Sequence, residues 1–234
     1  YRRNIVVNHS GRQNNMSKLV LYKKSFLMRY FLFTVLFTFI SVVSYSTHNR
    51  AGEITYEWQG GYTYKATIRI CSNEGSNVAD RPELEIHWGD GTSDTVPRTS
   101  EIPQPSVGSF NGSENLYYGY HTYPGSGTYE IEVLDPNRNI NIENITNSVN
   151  VAFCIRTVLI INPIFGTGNN SCIPQEFPCP ELGCAGIPYC YNAAALDPDG
   201  DSLSYSLVPC MGENQNNPAD GCNILALGTV YNYP

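Results

Sequence analysis

Between residues 53 and 161, apolar and polar residues alternate in short runs, broken every ten residues or so by glycine, proline, asparagine or serine. A period of two places every second side chain on one buried face, and evenly spaced short runs with turn residues between them predict a β-sandwich. Residues 53–58 alternate, Gly60 and Gly61 supply a tight hairpin, and residues 62–71 return through Tyr64, Ala66, Ile68 and Ile70. Residues 84–88 form a third strand that ends at the turn Gly89-Asp-Gly91. Residues 94–98 read as a short edge strand, because Pro97 removes a ladder donor. Residues 99–114 read as a polar loop and 116–123 as a strand. In residues 128–134, Tyr129, Ile131 and Val133 share one face and Glu130 and Glu132 the other. Residues 148–161 predict one long strand or two joined by a bulge, and helical periodicity is nearly absent throughout.

After Asn162 the pattern fades. Residues 163–186 carry Pro, Gly, Asn and Cys with little alternation, and strand character returns at 187–196 and 202–208. Two or three strands fall short of the seven or so of a sandwich. The expected organisation is therefore a β-sandwich over 47–162, then a Cys-rich linker and the start of a second, incomplete β-domain over 163–234. A complete, small, disulfide-rich domain is the competing reading.

The first 46 residues differ in kind: they hold seven Lys or Arg and no Asp or Glu. Lys18, Lys23, Lys24 and Arg29 lead into 14 apolar-rich residues from Tyr30 to Val43, then the small-residue exit Ser44-Tyr-Ser46. This is the form of a cleaved secretory signal peptide, and the run is shorter than the roughly 20 residues of a spanning helix. An uncleaved N-terminal anchor is the alternative. In either case Met16 or Met28 is the expected start, and residues 1–15 read as upstream translation. Removal of residues 1–46 leaves 7 basic against 21 acidic residues, a net charge of −14. Such a surface excludes phosphate-backbone binding, so nucleic acid is no partner.

All eight cysteines follow that leader: Cys71, Cys154, Cys172, Cys179, Cys184, Cys190, Cys210 and Cys222. An even number in an exported chain predicts disulfides, with about 105 pairings open. Six of the eight lie between 172 and 222, so staples are expected to concentrate there. No Cys-x-x-Cys pair occurs, and His48, His87 and His121 lie far from that cluster in sequence.

Two constellations carry candidate chemistry. In Asp197-Pro-Asp-Gly-Asp201, three carboxylates sit at alternate positions of a turn, ahead of an alternating run. Crowded hard oxygens repel unless a cation or water intervenes, so Asp197, Asp199 and Asp201 are candidate calcium ligands, with Glu53 and Asp135 as further donors. An EF-hand is excluded, because its loop positions six and twelve fall on Ser202 and Val208. A solvated acidic turn without metal is the other reading. The second constellation is Trp88-Gly-Asp-Gly91 with His121-Thr-Tyr-Pro-Gly-Ser-Gly-Thr-Tyr129. Glycines suit the turn, Asp90 can accept backbone N–H bonds, and Trp88 and Tyr129 can fill a core. No nucleophile or second carboxylate accompanies Asp90 and His121 at a fixed spacing, so neither constellation reads as catalytic.

On Gly89, Asp90, Gly91, His121, Tyr123, Gly127, Thr128 and Tyr129, residues 49–160 resemble the PKD (polycystic kidney disease) domain. The family's usual aromatic between Trp and Gly-Asp-Gly is absent, since Trp88 abuts Gly89. The resemblance implies an immunoglobulin-like sandwich acting as a spacer or binding module. The Asp197–Asp201 segment resembles the calcium-supporting turn of cadherin-like repeats in bacterial surface proteins. Thr47-His-Asn-Arg-Ala-Gly-Glu-Ile54, Asp135-Pro-Asn-Arg138, Asn147-Ser-Val149 and the motifs above together resemble surface proteins of gliding-type Bacteroidetes. In those proteins PKD and cadherin-like repeats precede a gliding-motility-associated sorting domain for type IX secretion. Cell-surface attachment, motility and the secretion machinery as partner are implied by that resemblance alone.

The expected function is therefore a non-enzymatic, secreted or cell-surface adhesion module, calcium-stabilised, that binds an extracellular glycan or surface protein. Tyr117, Tyr118 and Tyr120 are candidate contacts, with Tyr118 and Tyr120 on one strand face, Tyr117 on the other, and one face expected in the core. The alternative is a substrate-binding accessory region of a secreted polysaccharide hydrolase or protease. Asn111-Gly-Ser113, Asn144-Ile-Thr146 and Asn169-Asn-Ser171 have the form of glycan acceptors.

Overall fold

The computed structural model describes residues 49–73, 81–105, 111–136, 138, 139, 142, 145, 148, 151–164, 168–177, 179, 188, 192–206, 208–213 and 222–224. The chain divides into two units, Tyr1–Ser44 and Tyr45–Pro234, and the described residues all belong to the second. The signal segment, Asn144, Cys184, Cys190 and residues 187 and 189–191 of the expected 187–196 strand lie outside them.

The fold is all-β. Seven strands, β1 (Asn49–Gly60), β2 (Thr63–Asn73), β3 (Glu83–His87), β4 (Ser93–Pro103), β5 (Gly112–Thr122), β6 (Gly127–Asp135) and β7 (Phe153–Ile161), form one sheet in the order β1-β2-β5-β4-β3-β6-β7. All of its pairings are antiparallel. The sheet folds over so that its two end strands approach. Tyr56 Oη on β1 donates to Val158 O on β7 at 3.2 Å, and a side chain at Gly52 would meet Phe153 and Ile155.

The alternation in sequence explains the fold directly. Tyr64, Ala66 and Ile68 of β2, Ile86 of β3, and Ile131 and Val133 of β6 are fully buried in one core. Removing each large aliphatic side chain from water is worth about 1.5–3 kcal/mol. Aromatic rings pack together within it: Tyr64 meets Tyr56 and Tyr123 edge-on at 6.1 Å, and Tyr123 lies 4.2 Å from Tyr129. The Tyr123 hydroxyl is buried with no hydrogen-bond partner, and burial pushes its pKa up.

The β1–β2 hairpin turns through Gly60 and Gly61, both at positive φ, as the glycine pair predicts. β4 departs from expectation. It is an internal strand of 11 residues, neither short nor at an edge, and 99–103 and 112–114 are strand where a polar loop was expected. Its first half pairs with β3 up to Pro97, and its second half pairs with β5 from Arg98 onward. Pro97 thus sits at the crossover between partners, where a missing N–H costs least. The second half reads as polar because polar pairs line it: Arg98 Nη1 donates to Asn115 Oδ1 at 3.0 Å, and Ser113 donates to Glu101.

β7 starts at Phe153 rather than at 148. Ser148 instead ties the preceding loop, accepting from Ile142 N and donating to Asn139 O at 2.8 Å. Beyond β7 the strands are short. β8 (Ile173–Pro174) pairs with β9 (Ala195–Leu196), and β10 (Met211–Glu213) with β11 (Cys222–Ile224). The strand expected over 202–208 is absent among the described residues there; Tyr205 instead offers its Oη to Ala195 N.

Disulfides Cys71–Cys179 and Cys154–Cys222 each tie this C-terminal stretch to the large sheet. While Cys184 and Cys190 lie outside the described residues, both staples among those described run from the large sheet to the C-terminal stretch. Their presence points to an oxidising environment. Complete pairing does not hold: Cys172 and Cys210 are free thiols. Cys172 is exposed, and Cys210 accepts a hydrogen bond from the buried Arg138 guanidinium at 3.4 Å. No helix of the described residues is long and apolar enough to cross a membrane.

Candidate functional site

The Gly-Asp-Gly turn links β3 to β4 and packs inward. Trp88 is buried, its Nε1 donating to Asp94 Oδ2 at 2.7 Å. Its indole has room because Gly119 lies beneath it, where a Cβ would come within 2.9 Å. His121 stacks on the indole at 4.8 Å with rings 10° apart, and meets Tyr123 edge-on at 4.7 Å. Asp90 completes the cluster. Oδ1 accepts from Thr92 N at 3.1 Å and Thr92 Oγ1 at 2.6 Å, while Oδ2 shares a 2.7 Å hydrogen bond with His121 Nε2. Burial acts to raise the Asp90 pKa, but bonds from Thr92 and His121 outweigh it and hold the carboxyl below its usual range. Asp90 and His121 thus satisfy one another, Asp94 takes the indole N–H, and the stacked rings lock the β3–β4 turn onto β5.

The three C-terminal carboxylates do not converge. Asp197 Oδ1 accepts from Asp199 N at 2.9 Å and Asp201 N at 3.2 Å, closing a turn through Gly200 at φ 83°. Both oxygens of Asp199 are occupied by Asn170: its backbone N donates to Oδ2 at 2.6 Å, and its Nδ2 to Oδ1 at 2.8 Å. Calcium takes six to eight oxygens, and this turn holds no such converging set. Among the described residues no group of three or more His, Cys, Asp or Glu is placed to hold a metal. The further donors are committed elsewhere. Glu53 pairs with Arg69 at 2.8 Å, and buried Asp135 with Arg81 at 2.9 Å.

Asn170 and its neighbours carry no periodic signal in sequence, yet they join the two open ends of the sheet. Ser171 N donates to Tyr56 O at 3.0 Å, Tyr56 N to Ser171 Oγ at 2.8 Å, and Trp58 N to Asn170 Oδ1 at 2.8 Å. Asn169 Nδ2 donates to Tyr56 Oη and to Ile160 O on β7, each at 3.4 Å. The triplet that reads as a glycan acceptor is thus occupied in the fold. Its signal in sequence is the cluster of short amide and hydroxyl side chains, which mimic backbone groups.

Arg138 enters the sequence reading only as part of the 135–138 motif, with no role assigned to it. It is buried, and donates to Val151 O, Ala152 O and Met211 O, binding the loop before β7 to β10.

The tyrosines of β5 separate as alternation requires. Tyr117 is core, its hydroxyl donating to Arg81 O at 2.7 Å. Tyr118 is half-buried beneath Lys65, whose Nζ sits 4.5 Å from the ring centroid. Tyr120 stands on the same outer face and is 61% exposed. Lys65 and Tyr120 are directly paired in the β2–β5 register. No protein-family model matches the chain, and neither a curated protein nor a solved structure matches it.

Proposed function

We propose that this chain is a non-enzymatic extracellular module, an immunoglobulin-like spacer of the PKD kind. In this reading it presents the outer face of β2 and β5 to a glycan. The observation that carries the reading is Tyr120, a large ring 61% exposed on an interior strand of the sheet. An aromatic ring brings broad contact area at little entropic cost, and the strands on either side hold it rigid. Lys65 over Tyr118 and the neighbouring Glu57, 3.8 Å from Lys65, supply polar groups for hydroxyls around it. The two disulfides fit an exported protein, and the Trp88–His121–Asp90 cluster fits a rigid spacer. A cation has no part in this reading.

Affinity electrophoresis of the oxidised protein through gels containing a panel of soluble polysaccharides tests it. At least one polysaccharide should retard the protein. Tyr120→Ala should weaken that retardation about tenfold, as loss of a central aromatic anchor does. Val158→Ser, on the outer face of β7, should leave it unchanged. Equal retardation of Tyr120→Ala and the wild type, or none with any polysaccharide, would remove the basis of the reading.

A further inference from the structure

We propose that residues 168–171 and the Asp197–Asp201 turn form an intramolecular strap that closes the outer edge of β1 against strand addition by a second copy of this chain. The proposal is independent of the glycan reading. β1 ends the sheet order, and an end strand of 12 residues offers a row of backbone donors and acceptors to any extended partner. At Tyr56 and Trp58 that row is filled from within. Ser171 exchanges two bonds with Tyr56 in the manner of a paired strand residue, and the Asn170 side-chain carbonyl takes the Trp58 N–H. Gly168 lets the strap lie flat on the Trp58 ring, where a Cβ would come within 3.1 Å.

Asp199 is what holds the strap. It grips Asn170 at both its backbone N and its Nδ2, leaving Oδ1 of Asn170 aimed at β1. Asp197 in turn fixes the backbone that presents Asp199. A carboxylate accepting two N–H bonds from one residue sets that residue's orientation as well as its position. This gives the Asp-rich turn a role without a cation. A cation seated on Asp199 would compete with Asn170 for the same two oxygens. The strap also reaches β7 through Asn169, so one short segment bridges both open ends of the sheet.

The test uses the full chain, oxidised, as wild type and as Asp199→Ala, Asp199→Asn, Asn170→Ala and Asp201→Ala. Hydrogen exchange reads the Tyr56 and Trp58 amides, and sedimentation velocity reads mass, each with and without millimolar calcium chloride. In Asp199→Ala and Asn170→Ala the Trp58 amide should exchange about tenfold faster or more, as for local opening, while the core amide of Ile131 keeps its protection. Both variants should dimerise with rising concentration. Asp199→Asn, retaining one acceptor, should fall between. Wild type and Asp201→Ala should stay monomeric, with no response to calcium. Unchanged Trp58 exchange in Asp199→Ala, or variants that open yet remain monomeric, would overturn the proposal. So would calcium that slows exchange at 197–201 in the wild type but not in Asp199→Ala, which would make the turn a cation site.

Discussion

Among the described turn glycines, Gly89 should tolerate replacement by alanine least, and the structure allows the damage to be divided. Gly89 sits at φ 81°, where an L-residue is strained by about 1–2 kcal/mol. Its Cβ would also fall 2.5 Å from both N and O of Glu130. Those atoms belong to the β6 backbone and cannot rotate away, so the turn or the strand must move, and overpacking of that kind costs about 1–3 kcal/mol. Gly91 provides the control. Its φ is 88°, but nothing lies within 4 Å of an added Cβ. Gly91→Ala should therefore lose about 1–2 kcal/mol and Gly89→Ala about 2–5, a large share of the 5–15 typical of a whole domain. Urea unfolding of the oxidised proteins, followed by tryptophan fluorescence and checked for an unchanged m-value, measures both. If Gly89→Ala lost no more than Gly91→Ala, the packing of this turn on β6 would be wrong.

Two further outcomes follow from the same geometry. The Asp90 carboxyl lies below its usual range when folded, so it contributes stability above its ordinary pKa of 3.8 that is lost as pH falls through the folded value. Asp90→Asn should flatten the fall in urea midpoint below about pH 4, and identical slopes in variant and wild type would refute the assignment. The Cys71–Cys179 bridge closes a span of 108 residues, for which loop entropy gives about 4–5 kcal/mol. Cys71→Ala with Cys179→Ala should lose most of that in the same unfolding assay, and a loss below about 1 kcal/mol would show that the bridge does not constrain the unfolded chain.

Alternation made much of the core legible, because a strand with one buried face writes its burial into every second residue. Tyr64, Ala66, Ile68 and Ile70 on β2, and Tyr129, Ile131 and Val133 on β6, are buried as that pattern requires. The second half of β4 was illegible for the converse reason. Arg98, Glu101, Ser113 and Asn115 hold it by polar pairing, which leaves no apolar period. At the Asp-rich turn the spacing of carboxylates was visible, but not that Asn170, far off in sequence, fills Asp199. Glu53 and Asp135 likewise look like free donors until Arg69 and Arg81 are seen beside them. Cysteine pairing was closed to the sequence altogether, since the partners of Cys71 and Cys154 are set by where the C-terminal stretch crosses the sheet.

β4 changes partners at Pro97, pairing with β3 up to that residue and with β5 beyond it. A pull that separates β3 from β5 must therefore break one of two backbone ladders that meet on a single shared strand. That strand acts as a hinge pin, and the two ladders it carries should yield to tension together.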